Sequence, residues 1–313
     1  MLFVDGLGLG EPGPRNPLDA DYPALRWLAG GQRWTSAATS VRADRVVFTA
    51  LDATLGLPGL PQSGTGQVAL LTGYNAARLM GRHFGPWAPR ALWPLLDREN
   101  LFSRVRALGL RAQLANAYPP VFFEALRRSG RWSVMSRAAW AAGLRLQGVA
   151  DVLGCRALTA DMTGAAWRER LKLPVPELRP EEAGRRWHAL GRGAHVCLFE
   201  YPLPDQAGHE QDPARARLAL ERLDRFLMGY LSACDPESDL LLLCSDHGNV
   251  EDLSWRGHTR NLVPLVAFGA AAGRWDSIGS IAEVVPVLCA VLREGLGFGQ
   301  LRHRHHAHIP DPL

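Results

Sequence analysis

Short, wholly apolar runs alternate along this chain with segments of helical period. Leu2-Phe3-Val4, Ala112 to Ala115, His195 to Glu200, Leu240 to Cys244 and Leu262 to Phe268 read as strands. Arg45 to Leu51 is a further apolar run of open type. Leu101 to Leu108 has a helical pattern. Asp212-Pro213 opens a helix whose Leu220, Leu223, Leu227 and Tyr230 recur near a 3.6 period. Gln67 to Leu71 opens another, and Ser280 with Glu283 forms a capping box before a helix running through Leu292. Apolar strands alternating with helices predict an α/β fold, a central and mostly parallel sheet flanked by helices. Residues 120–190, rich in Arg, Trp and Ala, read as mainly helical and irregular, a small lid or insertion within one domain spanning 1–313. Trp87, Trp93, Trp132, Trp140 and Trp167, in or near that segment, read as packing for small helices.

Composition narrows the class. The 313 residues are 47% hydrophobic and 21% charged, which excludes disorder and a disulfide scaffold. No apolar run is long enough to predict a membrane span, and no signal peptide is expected at the start. The five cysteines, odd in number and without CxxC spacing, predict reduced thiols and a cytoplasmic setting. The formal charge is +4, carried by 34 arginines and a single lysine, Lys172. These arginines are dispersed among Ala, Leu and Glu, so neither a nucleic-acid nor a membrane partner is expected.

The chemistry gathers after the strands. Asp5 follows the first, Asp205 and His209 follow the strand at 195–200, Asp246-His247 follow Cys244, and His258 precedes the last strand. Ligand sites of open α/β sheets lie at the carboxyl edge, so distant segments can converge there. Three carboxylates ~5 Å apart would repel by roughly 3 kcal/mol per pair at an effective dielectric near 20, a penalty that divalent cations remove. Mixed imidazole and carboxylate donors suit Zn or Mn. In Pro61-Gln62-Ser63-Gly64-Thr65-Gly66-Gln67, a hydroxyl at a helix start serves either as a cap or as a group facing an anion. Ser63 is preferred to Thr65 by its spacing to Gly66. Gly6-x-Gly8-x-Gly10 has a dinucleotide-loop flavour but lacks the GxGxxG spacing. The tail from Leu301 to Leu313 holds His303, His305, His306 and His308, which are not counted as site residues.

Taken in order, Asp5-Gly6, Ser63, Asp205-x-x-x-His209, Asp246-His247-Gly248 and Gly257-His258 resemble the alkaline phosphatase superfamily. The likeness is nearest to the cofactor-independent phosphoglycerate mutase and phosphopentomutase branch. It covers residues 5–258. The resemblance implies an alkaline phosphatase-like sheet, one metal on Asp205, His209 and His258, and another on Asp5, Asp246, His247 and the Ser63 oxygen. The metals implied are Mn or Zn. It further implies phosphoryl transfer from a small phosphorylated substrate through a phosphoserine at Ser63. The shortness of the chain argues against a full mutase cap and so for a phosphatase. A mutase or phosphodiesterase is the alternative, and a non-catalytic metal-binding regulator the alternative of another class. Gln67 stands where the mutase branch has a histidine. The sequence leaves the oligomeric state open.

Overall fold

The computed structural model describes residues 1–43 and 45–305, with only the backbone described over 296–305. Seven strands form one sheet: β1 (Leu2–Val4), β2 (Val41–Ala43), β3 (Val46–Leu51), β4 (Ala112–Leu114), β5 (Val196–Tyr201), β6 (Leu240–Cys244) and β7 (Val263–Gly269). Their spatial order is β2-β3-β7-β6-β1-β5-β4. The expected parallel pairing holds for four neighbours, β6, β1, β5 and β4. The sheet then continues antiparallel through β7, β3 and β2.

Period-two alternation splits the apolar residues between two layers. Phe3, Val196, Leu198, Leu242 and Cys244 face one core with the helices Ser63–Thr72, Leu101–Ala107, Val134–Ala141 and the start of Val284–His305. Leu2, Val4, Phe199, Tyr201 and Leu243 face the other, with Pro23–Leu28, Pro180–Arg192 and Pro213–Leu231. Both faces are covered, which is why the strands read as continuous apolar runs.

Residues 120–190 divide among these layers. Helix Val134–Ala141 belongs to the first core and Pro180–Arg192 to the second. Val152, Ala157, Trp167 and Val175 form a small third cluster with Ala117. Helix Pro120–Ser129 alone buries none of its residues. Trp93 packs under the Arg137 guanidinium at 3.7 Å, and Trp132 pairs with Trp140 at 5.1 Å.

Local signals performed unevenly. Asp212 caps its helix, accepting from the Ala214 and Arg215 amides. The reciprocal capping box at Ser280 does not form. Ser280 accepts from Ala282 N, while the Glu283 carboxylate accepts from Gly279 N. The helix expected from Gln67 begins four residues earlier, at Ser63. Gly64 and Gly66 disguised that start because glycine is a poor helix former. Tertiary contact decides it: a Cβ at Gly64 would lie 2.4 Å from Trp87 O, and one at Gly66 3.0 Å from Asp246 O. All five cysteines are free, with Cys197, Cys244 and Cys289 buried. Among the described residues no helix is long and apolar enough to cross a membrane. His306 and His308 lie outside the described residues, as do the side chains of His303 and His305.

Helices Pro180–Arg192 and Pro213–Leu231 touch backbone to backbone. A Cβ at Gly184 would sit 2.0 Å from Phe226 O, and one at Gly229 2.1 Å from Glu181 O. Helix propensity alone favours Gly229→Ala by about 1 kcal/mol. The contact reverses the sign: Gly229→Ala is expected to lose at least about 2 kcal/mol by overpacking, read by denaturant unfolding. A stabilised variant would show that the helices do not cross this closely.

Candidate metal centre

The parallel strands bring their carboxyl ends to one edge, and the antiparallel β7 brings its start there. Register sets this directly: Val4 lies beside Tyr201, and Cys244 beside Leu265. Asp5, one residue beyond β1, is anchored by its amide on Tyr201 O at 3.0 Å. Asp205 and His209 share a face one turn apart in helix Leu203–Glu210. Asp246 and His247 follow β6, and His258 lies in the loop that enters β7. β3 ends at the same edge, since Leu51 pairs with Val263, and from there the chain leads to Ser63.

Two donor groups result: Asp205, His209 and His258, then Asp5, Asp246 and His247, with the donor atoms of each group within 4.8 Å of one another. His209 Nε2 is 3.4 Å from Asp205 Oδ2, and His258 Nε2 is 3.7 Å from Asp205 Oδ1. His247 Nε2 is 3.4 Å from Asp5 Oδ1 and 3.5 Å from Asp246 Oδ2. The His247 and His258 rings stack at 3.6 Å and join the groups. Ser63 Oγ lies 2.9 Å from His247 Nε2. Ser63 is therefore not a cap: Gln62 holds that position without a side-chain bond. Thr65 turns away and exchanges hydrogen bonds with the Phe84 backbone.

The polar bookkeeping fits divalent cations. His209 Nδ1 and His258 Nδ1 contact the carbonyls of Arg256 and Pro61 at 2.8 and 2.7 Å. A carbonyl only accepts, so each Nδ1 donates its hydrogen. In neutral rings both Nε2 atoms then carry lone pairs, and they face each other at 3.2 Å beside the Asp205 carboxylate. Carbonyl-anchored imidazoles are the usual arrangement of metal-binding histidines. In the other group, both oxygens of Asp246 and Oδ1 of Asp5 are buried without a hydrogen bond. Buried acceptors left unpaired cost free energy, which a cation would recover.

The electrostatics follow. Burial, and then the Asp205 charge, push Asp246 up to about 8. Burial, then Asp246 and Asp205, hold Asp5 well above the carboxylate range. Burial keeps His247 well below the imidazole range and also lowers His258.

Gln67, noted in the sequence only as a departure from the mutase branch, and several residues that sequence reasoning passed over support this geometry. Asn249 donates to Asp205 Oδ1 at 2.7 Å. Gln67 reaches Asp5 Oδ2 at 3.4 Å. Glu200, on β5 beside β1, is an acid whose burial raises it to about 7. Glu251 is 2% exposed. It accepts from Gly8 N at 3.1 Å, Asn249 N at 2.7 Å, Asn261 Nδ2 at 3.1 Å, and the Thr259 hydroxyl. One carboxylate thus ties the loop after β1 to both ends of the connection between β6 and β7. It also accounts for the glycine loop. A Cβ at Gly8 would meet Glu251 at 2.2 Å and one at Gly10 at 2.7 Å, while Gly6, at φ +69, abuts Asp205. The glycines enclose protein carboxylates, and the dinucleotide reading is withdrawn. The only foretaste was the Gly-x-Gly-x-Gly spacing itself.

A family model described as the Metalloenzyme superfamily matches residues 189–293. The 2,3-bisphosphoglycerate-independent phosphoglycerate mutase of Agrobacterium fabrum is 30% identical over 125 residues, 37% of this chain and 25% of the relative. The Cereibacter sphaeroides enzyme of the same name (strain ATCC 17025) is 29% identical over 125 residues, with the same coverage. The aligned stretch spans about a quarter of these curated relatives. Among solved structures, a cold-active alkaline phosphatase from Shewanella sp. superposes with TM-score 0.51 at 13% identity, covering 93% of this chain and 99% of that one. The alkaline phosphatase of the Antarctic bacterium TAB5 gives 0.50 at 10% identity, covering 93% and 96%. At such identities the likeness is one of fold.

Two outcomes follow from the site. For the metal-free protein, an acid with a raised folded pKa keeps a proton that the unfolded chain has released. Stability then falls as pH rises from the unfolded value near 4 toward about 8. Melting of chelated protein should drop across pH 5–8, Asp246→Asn should flatten that slope, and saturating Mn or Zn should remove it. A pH-independent melting point without metal would contradict the arrangement. In Glu251→Gln, one amide oxygen replaces two carboxylate oxygens and a donor faces other donors. The expected loss is about 3 kcal/mol together with weaker metal binding by calorimetry.

Proposed function

Because this chain belongs to the alkaline phosphatase superfamily, near the cofactor-independent phosphoglycerate mutase branch, we propose that it is a two-metal phosphoryl-transfer enzyme acting on a small phosphate ester. The observation that carries this reading is Ser63 Oγ at the N-terminus of a buried helix, 2.9 Å from His247 of one of the two donor groups. Asp205, His209 and His258 would hold one metal, and Asp5, Asp246 and His247 with the Ser63 oxygen the other. When bound, the pair would favour the alkoxide form of Ser63 and offset charge on the phosphoryl oxygens. The mixed nitrogen and oxygen donors favour Mn or Zn.

Ser63 Oγ forms a bond to phosphorus as the ester oxygen leaves in line, giving a phosphoserine and an alcohol. The positive end of the helix Ser63–Thr72 dipole favours the same anion. Asn249 and Gln67 keep the Asp205 and Asp5 carboxylates in place as charge moves. Water then breaks the Ser63–phosphorus bond and releases phosphate, which makes the enzyme a phosphatase. His209, whose side chain is 45% exposed, leaves that edge of the centre open to water. The mutase names of the curated relatives favour a second outcome, return of the phosphoryl group to a substrate hydroxyl.

Much of the arginine charge is neutralised locally, as in Arg26–Asp21, Arg137–Asp97 and Arg225–Glu181. That supports a small-molecule substrate over a nucleic acid. The free cysteines support a reducing, cytoplasmic compartment.

With Mn or Zn added, p-nitrophenyl phosphate should be hydrolysed with transient phosphorylation of Ser63, seen by intact-mass spectrometry after an acid quench. Ser63→Ala should lose at least about a thousandfold in kcat while still binding metal. Unchanged turnover in that variant would defeat the reading. Phosphate release against isomerisation of a phosphoglycerate, followed by 31P NMR, separates phosphatase from mutase.

A further inference from the structure

The sheet stops unevenly at β4. This strand is the outermost on its side and pairs only with β5. Arg111 O accepts from Val196 N at 3.2 Å, and Ala115 N donates to Leu198 O at 2.8 Å. In a parallel ladder with that phase, Ala112 and Leu114 direct both backbone groups away from β5. Among the described residues these groups have no hydrogen-bond partner. Just beyond, the protein supplies the next strand itself. Leu158 N donates to Ala115 O and Ala117 N to Leu158 O, both at 2.8 Å, in parallel register. That cover ends at Arg156, whose carbonyl is held by the Gln113 side chain at 3.1 Å. The eighth-strand position is therefore filled beside Ala115–Ala117 and open beside Ala112–Leu114.

The opening is a groove of about 610 Å³ that straddles the sheet edge. Leu110 and Leu144 wall it from the layer of helices Leu101–Ala107 and Val134–Ala141, and Leu190 from helix Pro180–Arg192 in the other layer. Its charge is one-sided. Arg106, Arg111, Arg145 and Arg156 line it, all exposed, and no carboxylate is among the described residues that do. Arg145 and Arg156 share one counter-charge, Asp151, at 2.7 and 3.2 Å. Arg106 donates to Ala142 O and Arg111 Nε to Gly193 O, and among the described residues neither forms an ion pair. A carbonyl satisfies a guanidinium hydrogen without neutralising its charge. Charged residues at a sheet edge deter indiscriminate strand pairing, while a strand of opposite charge is attracted.

We propose that the open edge of β4 is a docking site for an acidic, extended segment of a partner protein, which adds to the sheet as its next strand. Its backbone meets the unpaired groups of Ala112 and Leu114, and its carboxylates meet Arg106 and Arg111. A phosphate polyanion matches the charge but not the two backbone groups, so the peptide is favoured. The groove borders the start of β4 and the residues that enter β5, whereas Ser63 and the Asp–His cluster lie at the carboxyl edge. The inference is thus independent of the phosphoryl-transfer reading.

A labelled hexapeptide of alternating glutamate and valine tests it on the whole chain. By fluorescence anisotropy it should bind at least about tenfold tighter than its lysine–valine counterpart. Hydrogen exchange should show new protection of the Ala112 amide in the complex. Methylating every second peptide nitrogen, at the valines in one isomer and at the glutamates in the other, removes the donors from one edge of the peptide at a time. One isomer should lose at least about tenfold in affinity and the other stay near the parent. Arg111→Gln and Arg106→Gln should each weaken binding about threefold, and Arg111→Lys should recover part of the loss. Arg127→Gln, at an exposed arginine of helix Pro120–Ser129, should leave it as in the parent. Equal affinity for acidic and basic peptides, two methylated isomers that both bind like the parent, or unchanged binding in Arg111→Gln with parental melting would overturn the inference. So would a hexathymidylate that binds more tightly than the acidic peptide and leaves exchange at Ala112 unchanged, which would assign the groove to a nucleic acid.

Discussion

The whole carboxyl edge of the sheet is organised around a surplus of acceptors. Asp5, Asp205 and Asp246 meet the Nε2 atoms of His209, His247 and His258 in a partly buried space with almost no donors of their own. Such a cluster is unfavourable in isolation, and every surrounding element serves to hold it together. Backbone carbonyls at 61 and 256 set the orientation of two rings, and Asn249 holds one carboxylate. The stacked His247 and His258 rings bind the halves into one unit. Rigid preorganisation of this kind is what a charge-stabilising site requires, since nothing has to reorient when charge moves.

Glu251 is the counterpart of that surplus. Where the Asp–His cluster lacks donors, this carboxylate is supplied with four, one from the connection after β1 and three from the connection between β6 and β7. Its surroundings contain glycine at 8, 10 and 248 because the backbone itself closes over its oxygens. The two networks lie back to back. One is complete with protein groups alone, and the other leaves buried acceptors unpaired.

Much of this was readable from the chain. Asp5, Asp205, Asp246 and His247 each follow a short apolar strand, and that placement after strand ends is a local pattern. The helix start at Ser63 was harder, since Ser-Gly-Thr-Gly looks like a loop until Trp87 and Asp246 supply backbone neighbours. The direction of β7 was not readable at all. Buried along its full length, it has the same apolar signature as its parallel neighbours. Only pairing with β6 and β3 shows that it runs the other way, and that reversal is why His258 reaches the site from before its strand rather than after it. The parts played by Glu251 and Asn249 were likewise invisible. Their roles come from contacts between residues remote in sequence, and no local spacing records them.

The position of β1 has a consequence for how the protein comes into being. The first strand of the chain sits near the centre of the sheet, where Leu2 pairs with Phe199 on one side and Leu243 on the other. A nascent chain leaving the ribosome therefore exposes an apolar strand whose partners are synthesised about two hundred residues later. Loop closure on that scale delays native pairing and raises contact order. The Asp–His edge shares the delay, because its final histidine arrives only when β7 is about to be made. Assembly of the sheet and completion of the centre are thus nearly one late event, and the N-terminal segment must be shielded from aggregation until then.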